Sequence, residues 1–409
     1  MRTKHLLSIP VVLLVLVSLV YGQVDSQWRG PNRDGVYPEK NLLKSWPTAG
    51  PTLLWEATGL GQGHSSVAVT ADKVFVTGML DKTGYLFAYN TSGKLLWKKA
   101  YGAEWTGDYP GARTTPAIVG KNLYIISAYG VVSCFDITTG NLVWSVDAVK
   151  TNNGKVIQWG IAESPLIDGN RVFVTTGGSN AGLVALDRMT GKLIWKSTNY
   201  SEPSAYCSPV IVTHNNIHLL LTMTQKSIVC LNADNGEFYW SFPHVTDWDI
   251  NPNTPYYKNG NIFCASGYGT GSVMLKLAAN GKSVTEVWRN KTLDPKTGAF
   301  VVVGGYIYGS GDKKRHWQAL KWEDGVSQYQ SRELGNGNVI YADGMLYCYS
   351  EKGEMALVKA DPTSFKVVSV FPITKGTDQH WAHTVIRDGK LYVRHGDTLL
   401  VYSIAAPVK

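Results

Sequence analysis

Cysteine is scarce in this chain of 409 residues, and its pattern excludes several kinds of site. The five cysteines stand singly, with no Cys-x-x-Cys, no Cys-x-x-Cys-His and no adjacent pair. These absences exclude covalent haem attachment and the cysteine-based zinc motifs, and an odd count leaves at least one thiol unpaired. We therefore expect the cysteines to be small buried hydrophobic residues.

The chain also has few charged residues and little helical periodicity. Charged residues make up 17% of the chain, and the formal net charge of +8 is not gathered into any run of more than three Lys and Arg residues. Nucleic-acid binding proteins show basic patches with interleaved aromatic residues, so we expect no nucleic-acid partner. With 42 glycines, 11% aromatic residues and no long segment of helical period, the sequence predicts an all-β protein with many tight turns.

The longest apolar run lies at the N-terminus. Two basic residues precede an apolar stretch from Leu6 to Val20, and Gly22 is a small residue at the expected cleavage position. This order is typical of a secretory signal peptide, which we predict for residues 1–22, with an uncleaved anchor as the alternative. No cysteine lies near the cleavage position, so we expect no lipid anchor. The mature protein would be periplasmic or secreted, without a transmembrane segment.

One stretch of the remaining chain recurs. Residues 163–196 contain three alternating apolar runs, a turn, and a last strand that ends in tryptophan. Alternation broken by Gly, Asn and Asp is typical of short antiparallel strands, and four such strands make one propeller blade. A period of about 40–50 residues indicates a solenoid or a propeller. The closing aromatic residue recurs at Trp97, Trp144, Trp195, Trp240, Trp288 and Tyr329.

A glycine stands four residues before most of these aromatic residues. We expect a positive φ at that turn, which glycine adopts without strain, and we expect each tryptophan to be structural, burying one blade against the next. In the Trp288 unit the glycine is displaced to Gly281. The regular positions are Gly93, Gly140, Gly191, Gly236 and Gly325.

The two ends of the chain complete the count of blades. Residues 51–58 form a lone strand, and residues 382–404 supply only three strands. Pairing the two ends would close the ring and remove both exposed sheet edges. We therefore predict a single eight-bladed propeller over residues 51–409, preceded by an irregular N-terminal strap over residues 23–50.

The repeat resembles a known one, the PQQ-like repeat, where PQQ is pyrroloquinoline quinone. The chain is similar to the PQQ-binding-like, or quinoprotein alcohol dehydrogenase-like, β-propeller superfamily. That superfamily includes quinoprotein alcohol dehydrogenases and an outer-membrane protein assembly factor. The segment of residues 27–35 is similar to uncharacterised exported bacterial members. The repeat motif stands here at Ser164-Pro165, Val172-Phe173, Ala185-Leu186-Asp187, Thr190-Gly191 and Trp195.

The loops that join each outer strand to the next blade should emerge on one face, where propellers place their sites. Their aromatic, acidic and histidine residues suit a small-molecule pocket. For the cofactor PQQ, the resemblance implies an arginine for its carboxylates, aromatic residues for its ring, a calcium ion and a carboxylate base. Candidates for cofactor binding are Arg113, Trp159, Trp248, Trp381, His64 and His383. Candidates for Ca²⁺ are Glu163, Asp249 and Asn251, and candidates for the base are Asp108 and Asp247.

Each of these residues also has a structural interpretation, as a turn cap, a loop anchor or a hydrogen-bonded histidine. Two functions follow. The first is an exported scaffold that binds an envelope protein, a glycan or a small molecule. The second is a PQQ- and Ca²⁺-dependent dehydrogenase that oxidises alcohols or sugars at the channel mouth. The dehydrogenases of the superfamily carry an adjacent cysteine pair that is missing here, so we favour the scaffold. A hydrolase or lyase is a third option, without a nucleophile motif to support it.

Overall fold

Eight antiparallel sheets make up nearly all of the regular structure, in a computed structural model that describes residues 24–179, 181–298 and 300–407. The predicted signal peptide, residues 1–22, lies outside the described residues. Seven sheets have four strands and one has five, and each sheet is one blade of a propeller. The prediction of an eight-bladed β-propeller is therefore confirmed.

Two strands, β1 (Val36–Tyr37) and β2 (Leu53–Ala57), precede the first complete blade. Blades one to four follow, each listed from the channel outward: β3 (Ala68–Val69), β4 (Lys73–Leu80), β5 (Thr83–Asn90) and β6 (Leu95–Ala103); β7 (Ala117–Val119), β8 (Asn122–Ile126), β9 (Val131–Asp136) and β10 (Leu142–Asp147); β11 (Leu166–Asp168), β12 (Arg171–Gly178), β13 (Ala181–Asp187) and β14 (Leu193–Lys196); β15 (Val210–His214), β16 (Ile217–Met223), β17 (Ser227–Asn232) and β18 (Phe238–Pro243).

Blades five to eight complete the ring, and the last takes β2 as its outermost strand: β19 (Tyr256–Lys258), β20 (Asn261–Ser266), β21 (Gly271–Leu277) and β22 (Val284–Asn290); β23 (Phe300–Val303), β24 (Tyr306–Ser310), β25 (Trp317–Lys321) and β26 (Ser327–Ser331); β27 (Gly337–Ala342), β28 (Met345–Ser350), β29 (Glu354–Lys359) and β30 (Val367–Pro372); β31 (Val385–Arg387), β32 (Lys390–His395), β33 (Thr398–Ser403) and β2. The described residues also include a short helix, α1 (Ala148–Thr151), and a 3₁₀ turn at Asp247–Asp249.

The middle strands of each blade are buried on both faces, because each blade is covered by a neighbour on either side. Strand β12 is buried from its second residue onward, and β13 is buried up to its last residue. The outermost strands differ: in β14, Leu193 and Ile194 are exposed and Trp195 is buried. A blade therefore requires continuous apolar runs in its middle strands and a single buried aromatic residue in its outermost strand.

Five of the closing tryptophans pack on a glycine of the following blade, whereas Trp240 only donates its indole N–H to the carbonyl of Gly281, at 3.1 Å. The ring of Trp144 lies where a Cβ on Gly191 would come within 2.7 Å of it, and the indole Nε1 of Trp144 donates to the carbonyl of Arg188, at 3.0 Å. Gly191 also has a φ of 72°, as the sequence predicts. Glycine is thus needed twice, for its backbone conformation and for the absence of a side chain. The same contact joins Trp55 to Gly93, Trp97 to Gly140, Trp195 to Gly236 and Trp288 to Gly325.

The ring closes where the two ends of the chain meet. Strand β2 pairs antiparallel with β33, from Leu53 opposite Tyr402 to Ala57 opposite Leu399. In blade seven, Ser369 stands at the register position of the closing tryptophan, and Phe371, two residues later in β30, makes the contact with a glycine. The ring of Phe371 packs on Gly50, where a Cβ would lie 2.7 Å away. The predicted closure by pairing of the two ends is therefore confirmed.

The inner ends of the blades are joined by a chain of Ser and Thr hydrogen bonds. The amide of Ser66 donates to Thr115 Oγ1 (3.1 Å), the amide of Thr115 to Ser164 Oγ (3.0 Å), and the amide of Ser164 to Ser208 Oγ (3.0 Å). Thr254 Oγ1 then donates to the carbonyl of Ser208, at 2.7 Å. These bonds link blades one to five at the channel wall, opposite the tryptophans at the rim.

The described residues of the N-terminal strap, 24–50, run inside the channel before they reach the outside. Ser26 forms an antiparallel bridge with Ile118 in blade two. Strand β1 then pairs in parallel with β27, Val36 opposite Tyr341, and adds a fifth strand to blade seven. The strap therefore ties opposite sides of the ring together from within.

All five cysteines are described, and all are buried and free of disulfides. Burial raises the pKa of the Cys134 and Cys207 thiols to about 12, which makes them unreactive at neutral pH. Among the described residues, no helix has the length and apolar character needed to cross a membrane.

The double role of the turn glycine gives a first prediction. Gly191→Ala places a methyl group against Trp144 and also forces a positive φ on alanine. Gly169 is the matched control. It has a φ of 57°, and no atom lies near the position that a Cβ would take, so Gly169→Ala introduces only the strain of a positive φ. We expect Gly191→Ala to lose about 1–3 kcal/mol more stability than Gly169→Ala, measured by urea denaturation. Equal losses would show that the contact with tryptophan contributes nothing.

Candidate functional site

The loops between successive blades carry the predicted site residues, and they all lie on what we call the upper face. This face is formed by residues 58–67, 104–116, 148–165, 197–209, 244–255, 291–298, 332–336 and 373–384, without the undescribed residue 299. Because these loops surround the channel mouth, side chains that are distant in the sequence come together there.

One group of rings lies over blades eight, one and two. Trp381 lies at its centre, with ring centroids 5.2 Å from His64 and 5.1 Å from Tyr109. The ammonium of Lys296 lies 5.8 Å from the ring of Trp381 and 5.8 Å from that of Tyr268, which extends the group toward blade five. The structure thus brings together two of the predicted cofactor-binding residues, His64 and Trp381.

A second group of rings lies over blades three to five. Trp159 has its ring centroid 6.5 Å from Trp248 in an edge-to-face arrangement and 6.4 Å from Tyr206. The hydroxyl of Tyr206 donates to the carbonyl of Gln158, which holds this loop in place. Trp159 and Trp248, both predicted from the sequence, are therefore neighbours, whereas Trp381 belongs to the first group.

Four aromatic residues of the upper face, together with Tyr268 in the turn between β20 and β21, have a left-handed backbone conformation. A positive φ is uncommon outside glycine, and for a bulky residue it marks local strain that often accompanies a binding site. The ring groups are therefore held by backbone that is strained in several loops at once. These residues are Tyr109 (φ 55°), Trp159 (67°), Tyr206 (71°), Trp248 (65°) and Tyr268 (60°).

Arg113 lies beside a buried carboxylate that the sequence did not single out. Glu104 accepts hydrogen bonds from the hydroxyl of Tyr101 (2.5 Å) and the amide of Ala128 (3.2 Å). Burial raises the pKa of Glu104 to about 7, although the charge of Arg113 acts against this. Arg113 itself donates to the carbonyl of Tyr109. Its guanidinium therefore holds the loop of blades one and two.

The three predicted calcium ligands have separate partners. Glu163 is fully buried and its two carboxylate oxygens lie 3.1 and 3.3 Å from the amide of Thr175. The side-chain oxygen of Asn251 accepts from Ser266 Oγ, at 2.6 Å. Asp249 forms an ion pair with Lys226, at 2.5 Å. No contact joins the three in one site.

The predicted bases and the remaining histidine also lie apart. Asp108 and Asp247 are exposed on two different loops. His383 is buried in the channel, where its Nδ1 accepts from Arg29 (2.9 Å) and its Nε2 donates to the carbonyl of Thr297 (2.8 Å). Burial, assisted by Arg29, lowers the pKa of His383 to about 3, so the ring is neutral at physiological pH.

The donor set can be tested against PQQ and calcium. Among the described residues, no group of three or more His, Cys, Asp or Glu side chains is placed to hold a metal ion. The oxygens of Glu163 and Asn251 are already used by protein donors. These residues therefore do not fit a quinone with a hard cation. The catalytic, cofactor and metal roles named from the sequence remain predictions.

Two buried arginines of the strap were missed by reasoning from the sequence. Arg29 and Arg33 are each 3% exposed and reach blades three, six, seven and eight from inside the channel. The signal was present in Arg29-Gly30 and Arg33-Asp34-Gly35, where each basic residue precedes a turn glycine. Its meaning depends on the strap lying in the channel, which the sequence does not specify.

Eight blades of four or five strands that close on packed aromatic residues, with the predicted site residues gathered on one face, define a PQQ-like propeller. A family model described as "Outer membrane protein assembly factor BamB" matches residues 47–158 and 83–331, well over half of the chain. The chain belongs to this family of PQQ-like repeat proteins. The resemblance inferred from the repeat is therefore confirmed.

Curated relatives are distant in sequence. An uncharacterised protein of Rickettsia prowazekii, RP232, is 24% identical over 306 residues, which covers 58% of this chain and 72% of the relative. The outer membrane protein assembly factor BamB of Kangiella koreensis is 25% identical over 211 residues, covering 50% of this chain and 49% of that protein. The quinoprotein alcohol dehydrogenase PedH of Pseudomonas putida is 27% identical over 160 residues, covering 37% and 25%.

Solved structures agree on the fold. BamB from Moraxella catarrhalis superposes with a TM-score of 0.61 at 15% identity, covering 86% of this chain and 99% of that one. The quinohaemoprotein alcohol dehydrogenase from Comamonas testosteroni gives a TM-score of 0.68 at 12% identity, covering 95% and 81%. At these identities the likeness establishes the propeller fold and leaves function open.

The buried Glu163 gives a prediction about pH. Its folded-state pKa is raised from 4.5 to about 7 by burial, so the folded protein holds this proton more tightly than the unfolded chain. Ionisation of Glu163 therefore lowers the free energy of unfolding of the wild type. This loss is absent below pH 4.5, grows between pH 4.5 and 7, and reaches its full value of about 3 kcal/mol above pH 7. Glu163→Gln should therefore become more stable relative to the wild type as the pH rises from 5 to 8. Thermal unfolding of both proteins across this pH range measures the difference.

The matched control is Glu323→Gln, because the side chain of Glu323 is 76% exposed. We expect this variant to follow the pH profile of the wild type closely. If Glu163→Gln also followed it, Glu163 would not titrate in this range.

Proposed function

We propose that this protein is exported and serves in the cell envelope as a non-catalytic binding scaffold. The upper face is the docking surface, and its occupant is another envelope protein. The observation that carries this proposal is Trp248, which is 65% exposed at a loop tip and held in a left-handed backbone conformation. An exposed, strained tryptophan is costly in a monomer and is a typical anchor residue in interfaces.

The surroundings of Trp248 match the composition of a protein interface. Val245 is 56% exposed in the same loop, and Tyr109 is 47% exposed across the channel mouth. The ion pair of Lys226 and Asp249 lies beside them and supplies a polar border. Aromatic residues at the centre with charged residues around them are characteristic of protein–protein interfaces.

The relatives support a protein partner in the envelope. The Kangiella relative is named as an outer membrane protein assembly factor, and the predicted signal peptide is consistent with export. A glycan or a small-molecule ligand on the same face would use the same aromatic residues, so the experiment must separate the three kinds of occupant.

The second candidate, a PQQ- and Ca²⁺-dependent dehydrogenase, has weaker support. Bound PQQ would supply hydride or electron acceptance from an alcohol. The predicted ligands Glu163, Asp249 and Asn251 have separate protein partners, and the two candidate bases are exposed on different loops. We therefore derive no reaction step at this site and retain the binding function.

Site-specific cross-linking tests the docking surface. A photoreactive amino acid at position 248, in the protein expressed in its native host, should yield one discrete cross-linked protein that mass spectrometry identifies. Position 189 is the matched control, because Met189 is 52% exposed in a turn on the opposite face. With the identified partner purified, Trp248→Ala should weaken binding by about 30-fold, since a buried tryptophan anchor is worth about 2 kcal/mol or more. Met189→Ala should leave the affinity unchanged.

Other outcomes would change the proposal. Equal cross-linking from positions 248 and 189 would rule out the upper face as the docking surface. Binding on a glycan array that Trp248→Ala abolishes would replace the protein partner by a glycan. Calcium-dependent calorimetric binding of PQQ that Arg113→Ala and Glu163→Ala abolish would favour the dehydrogenase.

A further inference from the structure

A cavity lies inside the channel, away from the aromatic rings of the upper face. It has a volume of about 340 Å³ and lies between the N-terminal strap and the inner strands of blades four to six. The strap contributes Arg29, Arg33 and Asp34, and the strands contribute an apolar and hydroxylated wall that includes Val212 and Tyr256. This volume lies within the range of pockets that bind small molecules.

The cavity contains positive charge that the protein does not neutralise. Arg29 donates to the carbonyls of Val339, Phe300 and Asp34 and to the ring of His383, which is neutral, so its partners are all uncharged groups. Arg33 donates to the carbonyls of Ser164 and Pro165 and to Gln27 Oε1, which are also uncharged, and its Nε has no partner. Among the described residues, neither arginine takes part in an ion pair. Buried charges without a counter-ion are costly, so an anion in the cavity would lower the free energy of this arrangement.

The charges that line the cavity can be counted. Two guanidinium groups and one carboxylate, that of Asp34, leave one net positive charge, and the other lining residues are uncharged. Glu163 lies beyond Arg33 with its pKa raised to about 7, so it supplies only part of a negative charge at neutral pH.

The backbone of the strap is shaped to present the two arginines. Arg29 and Arg33 have φ values of 59° and 60°, a conformation that non-glycine residues rarely adopt. Gly35 allows the chain to fold over Arg29, since a Cβ at this position would lie 2.3 Å from its Nη2. Strain at both arginines, in a segment that could otherwise cross the channel freely, is typical of a functional site.

We propose that this cavity binds a small organic monocarboxylate, with its carboxylate on Arg33 and Arg29 and its ring against Tyr256 and Val212. A guanidinium matches the planar carboxylate, and one net positive charge favours a monoanion over a phosphate dianion. The mixed wall of apolar side chains and hydroxyls suits an aromatic or a sugar acid. This site is independent of the docking surface on the upper face.

Calorimetric titration of the full mature protein tests this assignment. The probes are benzoate and glucuronate, with benzamide and inorganic phosphate as the comparison for charge and shape. We expect saturable binding of at least one carboxylate, no binding of benzamide, and weaker binding of phosphate. Arg33→Gln should weaken carboxylate binding by about tenfold or more, because a buried charged partner is lost.

A variant that leaves the arginines intact keeps the test decisive. Val212→Trp would fill the cavity and abolish binding, whereas Val368→Trp, on an exposed valine of β30, is the matched control and should bind like the wild type. Unchanged binding by Val212→Trp would overturn the assignment of the cavity. Equal binding of benzamide and benzoate, tighter binding of phosphate, or no heat with any carboxylate would overturn the class of ligand.

Discussion

The packing of an outer-strand aromatic residue on a glycine of the next blade is the contact on which the ring depends. A four-stranded blade has two apolar faces and is not stable alone, so its stability comes from its neighbours. An aromatic side chain buries about 150–250 Å², more than other residues, and its indole nitrogen reaches a carbonyl that would otherwise lack a partner. Trp144 on Gly191 shows both effects, with a hydrogen bond of 3.0 Å to Arg188. The Ser and Thr bonds at the channel wall fix the inner ends.

Closure of the ring is secured twice. The pairing of β2 with β33 removes the two exposed sheet edges. The strap adds a second connection, since it contacts blade two at Ile118 and blade seven at Tyr341. The frame is held at its rim, its channel wall and its centre, and the upper loops take part in it through the Ser and Thr bonds at the channel wall. Other positions of these loops, at Trp159 and Trp248, have strained conformations.

The two candidate sites differ in their electrostatics because their charged groups differ in burial. The upper face carries exposed aromatic residues with charges at the border, which suits a large partner. The channel holds Arg29 and Arg33 in a region of low polarity, where an unpaired charge interacts strongly with a small anion. Glu104 and Glu163 have pKa values of about 7 because each is removed from water, although they lie in different blades. The proposed docking face and the proposed internal site therefore differ in their chemistry.

The sequence by itself determined the architecture of this protein. Recurring aromatic residues and turn glycines predicted the blades, and the lone strand at residues 51–58 predicted the closure, because both patterns are local and repeat with each unit. It also identified the loops in which Trp159, Trp248, Trp381 and His64 lie. Only the tertiary structure decided which of these rings meet, since the contact of His64 with Trp381 depends on the ring closing. The same holds for Arg29, whose partner His383 is at the other end of the chain. Such contacts are set by the geometry of the closed ring, and local periodicity in the sequence carries no information about that geometry.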